Sequence, residues 1–180
     1  MQHYRRSIIP GASYFFTVAT QDRQEILTQA EVYNALETSM RTVGEIYPFK
    51  IDAFVILPDH LHCLWTLPEG DHDYANRWSI IKRKVSQAIE MLASPKIARA
   101  KETGREHYLW QRRMFEHQVR DDDDFEMLAD YIHRNPLKHG YVNAVAEWPY
   151  SSFHRYVKEG AYALGWCGCA EPDGMAFGEI

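Results

Sequence analysis

Residues 13–20, Ser-Tyr-Phe-Phe-Thr-Val-Ala-Thr, are rich in aromatic and β-branched side chains and predict a first strand. The period then changes: Val32, Leu36, Met40 and Val43 recur at helical spacing, forming one apolar stripe of a helix that starts near Gln29 and is closed by Pro48. Residues 51–57 are continuously apolar except for Asp52, and residues 61–67 form a second such run. They predict two interior strands joined through Pro58-Asp59. Trp78, Ile81, Val85, Ile89 and Leu92 predict a second helix over about 74–93, with Arg77, Lys82 and Lys84 off its stripe and Ser94-Pro95 at its end. Residues 96–107 read as a basic loop, and Tyr108 to Val119 as a fourth, hairpin-like strand. Asp121 to Asp124 then lead a third helix whose buried edge is Phe125, Leu128 and Ile132, and which Asn135-Pro136 stops.

Strand, helix, strand, strand, helix, strand is the ferredoxin-like order, an α+β fold with an antiparallel sheet and helices on one face. The third helix, carrying Tyr131, is an addition to it. No repeat or low-complexity linker divides the chain, so one domain over residues 1–180 is expected, with 141–180 as a C-terminal extension. Many functions use this fold, so activity has to be argued from a site.

Composition narrows the field. A chain that is 46% hydrophobic and 13% aromatic can bury a core, which excludes wholesale disorder. No apolar run has the length of a membrane span, and Met1 to Arg6 lacks the apolar stretch of a secretory signal, so a cytoplasmic location is expected. Cys63, Cys167 and Cys169 are an odd count with two neighbours near the end, which fits a reduced compartment better than a disulfide framework. The net charge of -5 argues against simple coating of nucleic acid, yet residues 77–113 carry ten Lys and Arg against three Glu, a local +7 that leaves -12 for the rest. Such a block is either a phosphate-binding surface or a solvated helix face and loop.

Two histidines two residues apart in a strand project from the same face, so His60 and His62 can share a divalent ion while Leu61 enters the opposite layer. The same pair can also be two strand histidines bonded to backbone, but the flanks Val55-Ile56-Leu57 and Cys63-Leu64-Trp65 make idle polar groups costly. Tyr131 and Asn135 share a helix face at a spacing of four, so a tyrosine hydroxyl and an amide oxygen can serve one ion. Taken alone, that segment is read more simply as a solvated helix tyrosine and a helix-ending asparagine. The four acids at 121–124 are accounted for by capping and the helix dipole. Trp148-Pro149-Tyr150-Ser151-Ser152 and Arg155 fit either contact with nucleotides or a turn that closes the core.

With these residues in place, the chain resembles the REP-associated tyrosine transposases, relatives of the single-tyrosine transposases in the HUH group of single-strand DNA nucleases. Four ordered stretches carry the resemblance: Leu57-Pro58-Asp59-His60-Leu61-His62, Trp110 to His117, Asp130 to Gly140, and Trp148 to Phe153. The resemblance implies a metal-dependent endonuclease and strand transferase that acts on hairpin repeat DNA through a 5′-phosphotyrosine. Tyr131 would be the nucleophile, and His60, His62 and Asn135 the ligands of Mg²⁺ or Mn²⁺. Asn135 stands where related transposases have a glutamine, one methylene longer. Arg77, Lys82, Arg83, Lys84, Arg112, Arg113, Arg134 and Lys138 are the candidate DNA contacts, in a monomer that joins the nucleoid when bound to DNA. Two other functions stay open: a non-catalytic, repressor-like nucleic-acid binder on the same fold, and a histidine-metal hydrolase in which water attacks.

Overall fold

In the computed structural model, which describes residues 9–91 and 109–168, the alternating segments pair into a four-stranded antiparallel sheet of order β2-β3-β1-β4. The elements are β1 (Ser13–Ala19), a 3-10 turn (Gln21–Arg23), α1 (Ala30–Ile46), β2 (Lys50–Ile56), β3 (His60–Thr66) and α2 (Tyr74–Met91). They continue with β4 (Phe115–Gln118), α3 (Asp122–Lys138), a second 3-10 turn (Val145–Glu147) and α4 (Phe153–Lys158). This is the ferredoxin-like arrangement with the tyrosine helix appended.

Strand alternation sorts the side chains into two layers. Tyr14, Phe16 and Val18 of β1 and Leu61, Cys63 and Trp65 of β3 meet the apolar stripes of α1 and α2, including Leu36, Val43, Trp78 and Val85. Trp65 stacks on Trp78 with ring centroids 4.4 Å apart. On the other side, Phe15, Val55 and Leu64 pack against Leu128, Ala129, Tyr131 and Ile132 of α3. The appended helix thus covers the sheet face that α1 and α2 leave open. Segment 148–152 lies along the edge of β2: Ser151 bridges Val55, Ser152 Oγ accepts from Phe54 N at 2.8 Å, and Trp148 Nε1 donates to Ile56 O at 3.0 Å.

Several expectations need correction. The fourth strand is short: Trp110 forms only an isolated bridge to Thr20, and regular pairing begins at Phe115. Trp110 is held by its own indole, which donates to Lys82 O at 3.2 Å, while Arg112 and Arg113 face solvent. Pro136 does not stop α3 but lies inside it, because in the last turn its missing N–H forfeits only one bond. The stop is Gly140, at φ +72°. Its N–H donates to Leu137 O and that of Tyr141 to Pro136 O, which is a Schellman closure. Asp121 caps the other end, accepting from Asp124 N at 2.8 Å. The proposed basic loop over 96–107, and with it Lys96, Arg99, Lys101 and Arg105, lies outside the described residues, as does Cys169.

Candidate active site

The site is built where β3 begins. Pairing sets Ala19 opposite His60 and Thr17 opposite His62, so both imidazoles rise on the α3 side of the sheet. Their ring centroids are 4.9 Å apart at 82° between planes. His60 Nδ1 lies 2.7 Å from Asp59 Oδ1 and donates to it, while His62 Nδ1 lies 2.9 Å from Thr17 Oγ1. Each ring is therefore fixed through Nδ1, and its Nε2 edge is the one suited to a cation. His60 Nε2 is buried and makes no hydrogen bond among the described residues. An orphaned acceptor of this kind costs free energy unless something binds it.

Asp59 is itself held in place. Burial would raise its carboxyl, but the His60 hydrogen bond and charge and the Arg23 guanidinium, whose Nη1 lies 3.4 Å from Oδ2, hold it below the usual carboxylate value. Arg23 and Asp22 sit at φ 53° and 54°, left-handed values that non-glycine residues seldom adopt. The turn bearing Arg23 grips the Pro58-Asp59 corner: Thr20 N donates to Asp59 O, Leu27 N to Pro58 O, both at 2.8 Å, and Thr20 Oγ1 to Asp59 O at 2.9 Å.

Tyr131 is 5% exposed and packs edge-on against His62, with ring centroids 5.2 Å apart at 68°. Phe15 supports it from the sheet at 5.9 Å, and Lys138 Nζ lies 4.8 Å from its ring centroid. Asn135, one turn further along α3 on the same face, is fully buried. His139, at the exposed end of the helix, brings a third imidazole to within 5.5 Å of His60, centroid to centroid. Among the described residues no group of three or more His, Cys, Asp or Glu side chains is arranged to hold a metal ion. A cation on the histidine pair would therefore draw further donors from an amide, a substrate oxygen or water.

The predicted basic contacts separate into different places. Arg77 is not at a surface: it is 2% exposed, forms a short ion pair with Asp71, and donates to Tyr47 O, Pro48 O and Asp73 O. It ties the start of α2 to the α1–β2 connection, so its assignment as a DNA contact is withdrawn. Lys82 is largely turned inward, donating to Gln111 O at 3.1 Å, and burial brings its ammonium down to about 8. Arg83 and Lys84 lie on α2, in the helix layer on the far side of the sheet from His62. Arg112 and Arg113 are exposed and follow Gln111, whose N–H donates to Ala19 O at 3.0 Å, which carries them to the end of the sheet bearing His60. Lys138 is exposed beside Tyr131, and Arg134 is partly exposed on α3. Arg155 donates to Ile51 O and Asp52 O, which favours a core-closing role for its segment.

Sequence reasoning missed Thr17, Arg23 and His139. Thr17 could be found only through strand register, and Arg23 only through a strained turn that no local pattern announces. His133 was also passed over. It is buried and clasps α3 to the β2 edge through Ser152 Oγ at 2.7 Å, and burial, helped by the Arg155 charge, drives its imidazole down to about 3, so it is neutral.

Comparison with known proteins shows which chains this one is similar to. Residues 9–135 match the family described as transposase IS200 like. The chain is 39% identical to the REP-associated tyrosine transposase of Escherichia coli over 93% of its own length and 92% of that protein. It is 42% identical over the whole of both chains to a Haemophilus influenzae protein assigned to the same group. Among solved structures, a REP-associated tyrosine transposase bound to a REP hairpin superposes with a TM-score of 0.83, at 39% identity and covering 100% of this chain and 99% of the other.

Proposed function

Because the chain belongs to the IS200-like transposases, and within them to the REP-associated tyrosine transposases, it is a DNA-processing protein, and we propose that it cleaves and rejoins hairpin repeat DNA through a covalent bond to Tyr131. The observation that carries this reading is the edge-on packing of Tyr131 against His62, 5.2 Å between ring centroids, with His60 4.9 Å beyond.

The phenolic oxygen of Tyr131 attacks the phosphorus of an unpaired strand and gives up its proton. The P–O3′ bond breaks, the leaving oxygen becomes a 3′-OH, and the 5′ side remains as a phosphotyrosine. One phosphodiester replaces another, so a 3′-OH can reverse the step and join a different strand without ATP.

A free tyrosine ionises near ~10 and is a weak nucleophile at neutral pH. The orphaned, buried His60 Nε2 fits a divalent cation, held by His60 and His62 with the Asn135 amide oxygen as third ligand. When bound, Mg²⁺ or Mn²⁺ supplies Lewis acidity on the phosphate and orientation of the scissile group. The protein's own part is positional. Asp59 and Thr17 fix the two imidazoles through Nδ1, Phe15 and Lys138 hold the tyrosine ring, and burial keeps bulk water from competing with the strand. Among the described residues, Arg112, Arg113 and Lys138 lie toward this end of the sheet and would hold the DNA backbone, whereas the Arg134 side chain packs against Gly168 of the C-terminal segment.

Incubation of the protein with a REP hairpin and a divalent ion, followed by denaturing electrophoresis, tests the proposal. The wild type should give a covalent adduct that Tyr131→Phe and His60→Ala both abolish. Cleavage that survives Tyr131→Phe but not His60→Ala would instead indicate attack by water. Salt-dependent binding with neither cleavage nor adduct would indicate a binding protein.

A further inference from the structure

On the face of the sheet away from Tyr131, α1 does not close all of the surface that it covers. Between α1 and the edge strand β2 lies a cavity of about 450 Å³, within the roughly 300–1,000 Å³ that small-molecule sites span. Met40 of α1 walls one side. Phe49, Ile51 and Phe54 wall the other, where the bulge at Asp52 lets Ile51 and Phe54, three residues apart, face the same layer. All four side chains are only part-buried, whereas Leu36, Val43 and Val85 in the same layer are fully buried. The floor is β3 from Leu61 to Cys63, the stretch whose opposite face presents the His62 ring to Tyr131.

Two features keep this cavity open and give its mouth a sign. Gly44 lines it from within α1. A glycine inside a helix destabilises it relative to alanine, and the packing does not call for one. A Cβ at this position would meet only the Phe49 ring among the described residues, at 3.6 and 4.0 Å, which are ordinary van der Waals distances. What Gly44 provides is the space beside Phe49. At the mouth stand Glu37, Arg41 and Glu45, each one helical turn from the next. Arg41 Nη1 lies 4.0 Å from Glu45 Oε1, whereas Glu37 is close to Tyr33, whose hydroxyl is raised by burial and then by the Glu37 charge. Two carboxylates against one guanidinium make the mouth negative.

We propose that this cavity binds a small apolar amine, with a flat hydrocarbon body between Met40, Phe49 and Phe54 and its ammonium beside Glu37. The walls choose the body: they would strip water from a sugar or a phosphate without replacing its hydrogen bonds, but bury a ring at no such cost. The mouth chooses the charge, because a carboxylate on the same ring would meet Glu37 and Glu45 as like charges. The proposal is independent of the cleavage reading, since every side chain that it uses lies on α1, on β2 or just before β2, away from Tyr131 and the histidine pair.

The test is an NMR titration of the full-length protein with 2-naphthylmethylamine and with 2-naphthoate, which share a ring and differ in charge. The amine should saturate the wild type and bind about threefold more tightly than the carboxylate at low salt, and Glu37→Gln should erase that preference. Gly44→Leu, which fills the space beside Phe49, should weaken both ligands about tenfold while its melting temperature stays at or above the wild-type value. In the wild type the Met40 methyl signal, identified by its loss in Met40→Leu, should move as the amine is added. Absence of saturable binding, equal affinity of the wild type for the two ligands, or unchanged amine affinity in a folded Gly44→Leu would each overturn the site. If Gly44→Leu melts below the wild type, the exposed substitution Glu37→Gln decides alone, and a preference that survives it overturns the proposal.

Discussion

Along β3, Leu61, Cys63 and Trp65 enter the layer beneath α1 and α2, whereas His60, His62 and Leu64 rise toward α3. The first layer is almost entirely apolar, with the Trp65, Trp78 and Phe16 rings packed on one another at 4.4 to 5.7 Å. The second mixes Phe15, Val55 and Leu128 with Thr17, His62, His133 and Asn135, all of them buried. One strand can supply both because successive side chains point to opposite faces. A layer that already stabilises the sheet allows the other to hold polar groups whose burial is costly until they are bonded or ligated. Stability and chemistry are thereby separable by substitution, face by face.

The largest effect expected is on the apolar side. Trp65→Ala removes a fully buried ring and should lower unfolding free energy by about 3–5 kcal/mol, measured by denaturant titration, with cleavage per folded molecule unchanged. If that variant folds normally but loses cleavage, the division between faces is wrong.

Next comes the buried cation. Arg77→Ala abandons Asp71 and three backbone carbonyls and should cost about 2–3 kcal/mol, less than for a fully buried pair because Asp71 is partly exposed. The salt dependence of DNA binding should not move.

At the start of the tyrosine helix, burial pushes the Asp124 carboxyl up, but hydrogen bonds from Arg120 and His117 outweigh it and bring it down to about 2. A carboxylate lowered on folding stabilises the native state above its ordinary value of 3.8, and this contribution is lost as pH falls through about 2. The loss should be about 1–2 kcal/mol. Asp124→Asn should flatten the stability profile across that interval, as followed by thermal melts at stepped pH. An unchanged profile would remove Asp124 from the acid response.

Smallest in energy, Arg112→Ala and Arg113→Ala should each reduce the slope of log affinity against log salt by about 1 without altering stability. Unchanged slopes would move the DNA path away from the β1 end of the sheet.

Much of this organisation was legible from the chain because period and punctuation carry it. The strand pattern gave β1, β2 and β3, and the spacing of two in His60-Leu61-His62 put both imidazoles on one face. What escaped was non-local. Arg77 looked like a surface cation because helical periodicity places it off the apolar stripe, but the α1–β2 connection folds over it and supplies acceptors. Pro136 looked like a stop, yet the last turn tolerates it and Gly140 ends the helix. Thr17 and Arg23 support the histidines through strand register and a strained turn, neither of which leaves a local sequence signal.

The most direct test of the central claim is to digest the protein after reaction with a REP hairpin and a divalent ion and to identify the modified peptide by mass spectrometry. The nucleotide should be found on Tyr131, in an amount that falls to zero without the ion. Attachment to another residue such as Tyr141, or cleaved DNA accompanied by no modified peptide, would contradict the assignment of Tyr131 as the nucleophile.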